Sequence, residues 1–152
     1  MEEEFIPYEQ SLALKELGFD VPCVSYHKII QFGKNEPELM GGYTQINTPK
    51  NFNDDNYKHL GDNYNIHIKS SNYVSIPTYH QIFRWFREKH NFDIEIGISF
   101  GSVNYSSKVV DRQNYKFPYI PGSFVTYREA EDACLNKLIE ILKGYEQIRK
   151  IY

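Results

Sequence analysis

With 152 residues and 41% apolar content, the chain is long enough to bury a hydrophobic core without disulfides or a structural metal. Its net charge of −3 argues against a general nucleic-acid binder, because phosphate recognition normally needs an excess of Lys and Arg. The unusual feature is an aromatic share of 16% with thirteen tyrosines, each of which combines a large apolar ring with a polar tip.

Cysteine usage and the first residues predict a cytoplasmic protein. The chain carries only Cys23 and Cys134, whereas a secreted domain of this size usually has more, so we expect free thiols in a reducing compartment. The opening MEEEFIPYEQ is acidic where an export signal needs positive charge and an apolar run. No segment reaches the roughly eighteen apolar residues of a membrane span, so we expect no membrane partner.

The first predicted element is a helix from Tyr8 to Leu17. Pro7 precedes it, where the missing amide hydrogen of proline costs nothing, and Gly18 follows as a left-handed stop. Such a stop is usually accompanied by an apolar contact across it, here between Phe19 and Leu14. We therefore expect the chain to leave the helix at Gly18 and to enter a strand.

Residues 23–32 alternate well enough to predict that strand. One face carries Val24, Tyr26, Ile30 and Phe32. The other face, expected to be the wetter one, carries Ser25, His27 and Gln31. A second candidate strand follows at 40–47, after a turn at 33–37.

A long polar loop is predicted near 48–63. Five asparagines and three aspartates lie between Asn51 and Asn65, and their side chains compete with regular backbone pairing. Beyond the loop, Tyr64, Ile66 and Ile68 alternate with polar residues. This pattern predicts a short strand.

The segment IPTYHQIFRWFREKH, residues 76–90, mixes aromatic and basic side chains. Thr78 followed by Gln81 forms a capping box, which predicts that a helix begins there. Helical spacing then separates the two kinds of side chain. The predicted core face comprises Tyr79, Ile82, Phe83, Phe86 and His90, with Trp85 at its flank. The opposite face comprises His80, Arg84, Arg87 and Glu88.

The clearest β pattern follows this helix. Apolar residues occupy alternate positions from Ile94 to Phe100, and Gly101-Ser102 has the composition of a two-residue hairpin turn. Residues 103–110 form the predicted partner strand. Residues 111–122 contain two prolines and predict a loop, after which 123–125 add a short third strand.

The last helix is the best-specified element. Thr126 and Glu129 form a second capping box at its start. The predicted buried arc comprises Ala130, Cys134, Leu138, Ile141, Leu142 and Tyr145. The predicted polar stripe comprises Asp132, Asn136, Glu140, Lys143 and Gln147.

No catalytic or metal-binding motif is complete. His27 and His67 would meet if their strands pair, with Asp62 or His59 nearby, but exposed strand histidines are common and the spacing matches no metal motif. Residues 97–101 read G-x-S-x-G, yet that motif needs a strand-to-helix turn rather than a hairpin. We predict no metal, no cofactor and no enzymatic activity, with a small metal-dependent enzyme as a remote alternative.

The order of elements after Thr78 suggests one alternative function. Helix, three strands and helix is the order of a double-stranded-RNA-binding domain. That domain grips phosphate with lysines at the start of its last helix, where this chain has Thr126-Tyr127-Arg128-Glu129. Nucleic-acid binding therefore stays the second reading, on topological analogy alone.

Three segments resemble a known group of proteins: IPYEQSLALKELGFDVPC, IPTYHQIFRWFREKH and TYREAEDACLNKLIEIL. They are similar to small uncharacterised proteins carried by bacteriophages and prophages of gut-type bacteria. The resemblance covers about a third of the chain. It implies a protein made in a bacterial cytoplasm, with attachment to the virion as an alternative location, and it implies no reaction.

Taken together, the sequence predicts one two-layer α+β domain over residues 1–152, in which three helices cover an antiparallel sheet. We expect a non-enzymatic phage or prophage accessory protein that binds another macromolecule, in the first place a protein or a second copy of itself. Tyr79, Arg84, Trp85 and Arg87 are the candidate binding residues, because the aromatic edges of this helix exceed what its core face needs.

Overall fold

The fold is α+β in a computed structural model that describes residues 4–31, 37–39, 44–54 and 73–149. Within them lie three helices and seven strands, and the strands form two antiparallel sheets where the sequence predicted one. The predicted α+β class with antiparallel strands is confirmed. The chain divides into two compact units, Met1–Thr78 and Tyr79–Tyr152. The prediction of a single domain over 1–152 stays a prediction.

The first unit is built around one long strand that pairs with three others. Its elements are α1 (Tyr8–Glu16), β1 (Cys23–Gln31), β2 (Pro37–Leu39), β3 (Thr44–Lys50) and β4 (Tyr73–Ser75). β1 pairs antiparallel with β2, β3 and β4. The predicted second strand overlaps β3, although its first residues, 40–43, lie outside the described part of the chain.

Helix α1 ends in the predicted glycine stop. Gly18 has φ +80°. The amide of Phe19 donates to the carbonyl of Leu14 at 2.9 Å, and the amide of Gly18 donates to that of Lys15 at 3.1 Å. These two bonds form a Schellman motif, and both Phe19 and Leu14 are buried beside it. The predicted stop at Gly18 is confirmed, and the contact between the Phe19 and Leu14 side chains stays a prediction.

The predicted wet face of β1 is wrong at Ser25, which is fully buried. The reason is that packing occurs on both faces of β1 among its described side chains, those of residues 23–27. Tyr26 packs against Phe52, with ring centroids 4.4 Å apart, while His27 on the other face packs edge-on against Tyr8 of α1 at 5.1 Å. The face that carries Ser25 and His27 is contacted by α1, so its polar residues did not predict exposure to solvent.

Strand β4 was not predicted, and its side chains are all buried. One asparagine of the polar segment before it holds it in place. Asn53 accepts a hydrogen bond from the amide of Ser75 at 3.0 Å and donates one to the carbonyl of Phe19 at 2.9 Å. β3 extends to Lys50, so the first positions of the predicted loop belong to a strand. Residues 55–72, with the predicted strand near Tyr64, lie outside the described residues.

The second unit has the order helix, three strands, helix. Its elements are α2 (Tyr79–His90), β5 (Phe92–Ile98), β6 (Tyr105–Asp111), β7 (Tyr119–Phe124) and α3 (Tyr127–Arg149). The sheet order is β5-β6-β7, with both pairings antiparallel. Helix α2 packs on β5, and α3 packs on all three strands. The element order expected from Thr78 onward is thus confirmed.

Helix α2 separates aromatic from basic side chains as its spacing predicts. It begins directly after Thr78. Its buried residues are Tyr79, Ile82, Phe83, Trp85 and Phe86, and its exposed residues include His80, Arg84, Arg87, Glu88 and Lys89. The rings therefore belong to the core of this unit, and the cations form its outer surface.

The predicted hairpin is present, but its turn is longer than two residues. The connection runs from Ser99 to Asn104, closed by a hydrogen bond from the amide of Ser99 to the carbonyl of Asn104 at 2.8 Å. Within it, the amide of Ser102 donates to the carbonyl of Ser99, and Gly101 has φ +74° at the third position of that turn. The glycine supplies the positive φ expected of it, in a different turn.

The predicted cap of α3 is confirmed in full. The amide of Glu129 donates to the hydroxyl of Thr126 at 3.1 Å, and the Glu129 carboxylate accepts from the amides of Thr126 and Val125. The buried residues are Ala130, Cys134, Leu135, Leu138, Ile139 and Leu142. The arc is thus rotated relative to the prediction: Ile141 is only partly buried, and Tyr145 is 44% exposed while stacking on Phe92.

Candidate functional site

The predicted binding residues do not form one surface. Tyr79 and Trp85 are each only 4% exposed, so the expectation that they offer aromatic edges to a partner is wrong. Arg84 pairs with Glu88 at 2.7 Å on the exposed face of α2. Arg87 binds both carboxylate oxygens of Asp93, at 3.0 and 3.2 Å. The two arginines are exposed, but carboxylates already neutralise them.

Tyr79 is a structural residue of the second unit. Its hydroxyl donates to the carboxylate of Asp132 on α3, and the guanidinium of Arg128 lies over its ring at 3.9 Å. Burial, together with the charge of Asp132, raises the pKa of Tyr79. Arg128 also pairs with Glu131 at 3.1 Å. The basic residue at the start of α3 is therefore engaged within the protein, not presented to a phosphate.

Neither cysteine is a nucleophile in this structure. Cys23 and Cys134 are both fully buried free thiols, as predicted. Burial raises the pKa of Cys23 to about 12 and that of Cys134 to about 11. Since the thiolate is the reactive form, both are inert at neutral pH.

No metal site lies within the described residues, where no three His, Cys, Asp or Glu side chains cluster as ligands. His27, the one described member of the predicted histidine pair, packs on Tyr8, and burial lowers its pKa. His59, Asp62 and His67 lie outside the described residues. Ser99, the serine of the G-x-S-x-G match, sits at a hairpin turn instead of a strand-to-helix turn.

The second unit does expose a group of large apolar side chains. We call them the hairpin-end surface: Ile98, Phe100, Val103, Val125 and Tyr127, which are 69%, 107%, 88%, 72% and 50% exposed. They come from the β5–β6 connection and from the junction of β7 with α3. Isolated exposed apolar residues are ordinary, whereas a contiguous group marks an interaction surface.

Two contacts join the chain segments that carry these apolar residues. Tyr105 on β6 lies edge-on against Tyr127 of α3, with centroids 5.6 Å apart. The side-chain amide nitrogen of Asn104 donates to the hydroxyl of Ser123 at 2.9 Å, which joins the hairpin connection to β7. The hairpin end and the start of α3 therefore form one surface.

A groove of about 640 Å³ adjoins this surface. It is lined by residues 94–97 of β5, residues 106–108 of β6 and Tyr127. Ser107 is almost completely buried there, and its hydroxyl makes no hydrogen bond to a nitrogen or oxygen of the described residues. The groove thus has Ile94 and Ile96 in its lining, and the Ser107 hydroxyl beside it interacts with the buried Cys134 thiol.

Carboxylates predominate around the groove and the surface. Glu129 lies in the first turn of α3. Glu131 follows in the next turn and is paired with Arg128 at 3.1 Å, and Glu95 on β5 is paired with Lys108 at 2.7 Å. Burial raises the pKa of Glu131, although Arg128 opposes this. Three carboxylates against the two cations Lys108 and Arg128 leave a small negative excess, so this end of the unit offers no basic patch for an anionic ligand such as nucleic acid.

The sequence alone did not point to this site. Ile98 and Phe100 share the alternation of Ile94 and Ile96, so the sequence pattern predicts a strand there without distinguishing exposed residues from buried ones. Phe92 and Val109 are buried toward the other end of the hairpin, whereas Ile98 and Phe100 lie exposed near the turn although Tyr127 of α3 approaches Tyr105 there. The one sign of this site in the sequence is the length of the alternating segment from Ile94 to Phe100, because its last residues extend beyond the part of the strand that is buried.

Comparison with known proteins gives no relative: no family model, curated protein or solved structure matches the chain. In the described part of the chain, no helix has the length and apolar character needed to cross a membrane. The assignment of function therefore depends on the geometry of the site.

Proposed function

We propose that the protein is a non-enzymatic binding module, and that its hairpin-end surface and the adjoining groove dock an apolar segment of a partner protein. The observation that supports this is the contiguous exposure of Ile98, Phe100, Val103, Val125 and Tyr127. Aromatic and aliphatic anchors of this kind dominate the energetics of protein interfaces. The open shape of the groove suits a chain segment better than an enclosed small molecule.

Charge specifies the partner further. The carboxylates at this end of the unit are Glu95, Glu129 and Glu131, and two of them are paired with Lys108 and Arg128. The remaining small negative excess favours an apolar segment flanked by Lys or Arg over one flanked by acids. The overall charge of −3 acts in the same direction. We therefore propose a basic-flanked apolar segment as the ligand of this surface.

The cell in which the module acts is part of the same proposal. The resemblance of three segments to phage and prophage proteins supports an accessory role in a bacterial host cytoplasm. Partners are therefore sought in bacterial lysates, including lysates of infected or lysogenic cells.

The test compares two exposed aliphatic positions on the second unit. Val125→Ser alters the hairpin-end surface, whereas Ile148→Ser, at a residue 55% exposed near the end of α3, is the matched control. Affinity purification with the wild type and Ile148→Ser should retain a partner that Val125→Ser loses. Binding of that partner, once purified, should weaken about tenfold or more with Val125→Ser. Equal binding by all three proteins would contradict the proposal.

Nucleic acid is the second candidate, favoured by the order α2-β5-β6-β7-α3. The carboxylates at the start of α3 and the neutralised arginines of α2 weigh against it. A gel shift with mixed RNA and DNA tests it directly. Complexes that weaken steeply with salt, and that Arg84→Glu combined with Arg87→Glu abolishes, would move the assignment to nucleic acid.

A further inference from the structure

We propose that β5 pairs with the β5 strand of a second copy, antiparallel and centred on Ile96, to form a symmetric dimer with one continuous sheet. The first observation is the sequence of the strand and its extension, FDIEIGISF, from Phe92 to Phe100. Read from Ile96 outwards, its apolar residues are symmetric. This proposal concerns a different partner from the one proposed above and does not depend on it.

β5 has an edge available for this pairing. It lies at the end of the sheet order β5-β6-β7, and among the described residues only β6 pairs with it. An unpaired edge presents a row of amide and carbonyl groups that templates another strand. Short edge strands with inward charges avoid this, but β5 carries exposed isoleucine at its free end.

Hydrogen bonding shows which groups of β5 point outward. The bond from the amide of Ser99 to Asn104 makes position 99 a hydrogen-bonded position toward β6, so by alternation the backbone groups of Ile94, Ile96 and Ile98 point to the free edge. The amide of Ile94 is consistent with this, because it donates to the side chain of Asp93 at 2.9 Å. The amides of Ile96 and Ile98 are the donors for a second strand.

In an antiparallel pairing centred on Ile96, apolar residues lie opposite apolar residues, and each carboxylate lies opposite an uncharged residue. Ile96 faces Ile96 of the second copy, and Ile94 faces Ile98. Glu95 faces Gly97, and Asp93 faces Ser99, so no two carboxylates lie directly opposite each other. Opposed like charges destabilise a sheet, and a symmetric register centred on position 95 would create such a pair.

Gly97 is explained by this arrangement and not by the fold of one chain. Its φ is not in the positive region, and a Cβ atom placed on it would meet nothing within 4 Å. Glycine inside a strand often marks close approach of another chain. In the dimer, the absent side chain leaves room for Glu95 of the second copy.

Pairing would also cover part of the exposed apolar surface. Ile98 lies inside the paired segment, whereas Phe100 lies beyond it in the hairpin turn. Val103, Val125 and Tyr127 lie outside the paired segment. A dimer therefore leaves them to the partner protein.

The test places opposite charges at position 97. Gly97→Glu sets a carboxylate opposite Glu95 of the second copy twice in each dimer, whereas Gly97→Lys sets an ammonium there. Both substitutions add a long charged side chain at the same open position. Sedimentation of the full chain across a concentration series should show a concentration-dependent dimer of the 18.0 kDa chain. Gly97→Glu should dissociate about tenfold or more readily than Gly97→Lys.

A second measurement fixes the register. Paired positions of this kind have Cα atoms about 5.5 Å apart, which a disulfide can span. Ile96→Cys should therefore form a cross-linked dimer under a mild oxidant, whereas Ile98→Cys should not, because its two copies are separated by roughly four residues of strand, about 13 Å.

Three results would overturn the proposal. They are a wild-type chain that stays a monomer at the highest concentration, equal dissociation of Gly97→Glu and Gly97→Lys, and cross-linking of Ile98→Cys in preference to Ile96→Cys. Each is measured on purified protein without a partner. Failure of the partner-binding proposal is therefore recognised separately.

Discussion

The hydroxyl of Tyr79, in the first turn of α2, donates its hydrogen to the carboxylate of Asp132 on α3, and so joins the two helices of the second unit. Arg128 completes the arrangement from the other side of the ring, at 3.9 Å from its centroid. A bond from a buried hydroxyl to a charged acceptor stabilises a protein more than a neutral pair does.

Removing that hydroxyl should destabilise the second unit. Tyr79→Phe keeps the ring and its contact with Arg128, but leaves Asp132 without its donor, and we expect a loss of about 1–2 kcal/mol in the free energy of unfolding. Tyr145→Phe is the control, since Tyr145 is exposed and its stacking on Phe92 survives. Urea denaturation of the three proteins measures the difference. Equal stabilities would show that the bond contributes nothing.

Replacing Gly18 and Gly144 by alanine should change the free energy of unfolding in opposite directions. Gly18→Ala forces a side chain into φ +80° and should cost about 1–2 kcal/mol. Gly144→Ala lies inside α3, where an added Cβ meets nothing within 4 Å, and should stabilise by about 0.5–1 kcal/mol. Thermal melting of both variants is sufficient. A stabilising Gly18→Ala would contradict the assigned ending of α1.

The cap of α3 should depend on one oxygen. Thr126→Ala removes the acceptor for the amide of Glu129 and should cost about 1 kcal/mol. Thr126→Ser keeps the oxygen and should retain the wild-type free energy of unfolding to within about half that amount. Denaturant midpoints of Thr126→Ala and Thr126→Ser measure the loss of stability. An equal loss in both variants would assign the stabilisation to the methyl group of Thr126 instead of its hydroxyl.

Asp111 should give the second unit a pH-dependent contribution to stability. Burial acts to raise its pKa, but bonds from the side chain and amide of Asn114 and from the amide of Gln113 outweigh burial, so the pKa lies below its ordinary value. A lowered carboxyl pKa means that the contribution is complete above the unfolded value of about 3.9 and is lost as pH falls through the folded value.

We therefore expect Asp111→Ala to lose about 1–3 kcal/mol at neutral pH, and the gap from wild type to narrow as pH falls from about 5 to about 2. Unfolding by urea at stepped pH measures it. A gap that is the same at every pH would show that the carboxylate charge is not involved.

Local chemistry determined how much of the fold was predictable from sequence. Thr126, Glu129 and Gly18 act on their own neighbours, so the helix ends they mark were assigned correctly. Ser25 was assigned to the wrong environment because its polarity does not reveal tertiary packing, such as that of Tyr8 on His27 of the same face. Strand β4 was missed because three buried residues show no alternation.

The candidate site was less accessible to sequence reasoning than the fold. Tyr79 and Trp85 were chosen as an excess of aromatics, yet the core of the second unit takes up both. Ile98 and Phe100 continue the alternation of Ile94, so the pattern predicted a strand and did not show that these two residues are exposed. Tertiary packing determines how far the helices cover the sheet. No residue near Ile98 indicates this limit in the sequence.

Each compact unit contains one inaccessible thiol, Cys23 in the first and Cys134 in the second. Disulfide-exchange reagents in solution reach such a group only when its surroundings open. The labelling rate of each thiol therefore reports how often its own unit opens. Matching rates would mean that the halves open together as one cooperative body. Different rates would mean that one half survives while the other comes apart.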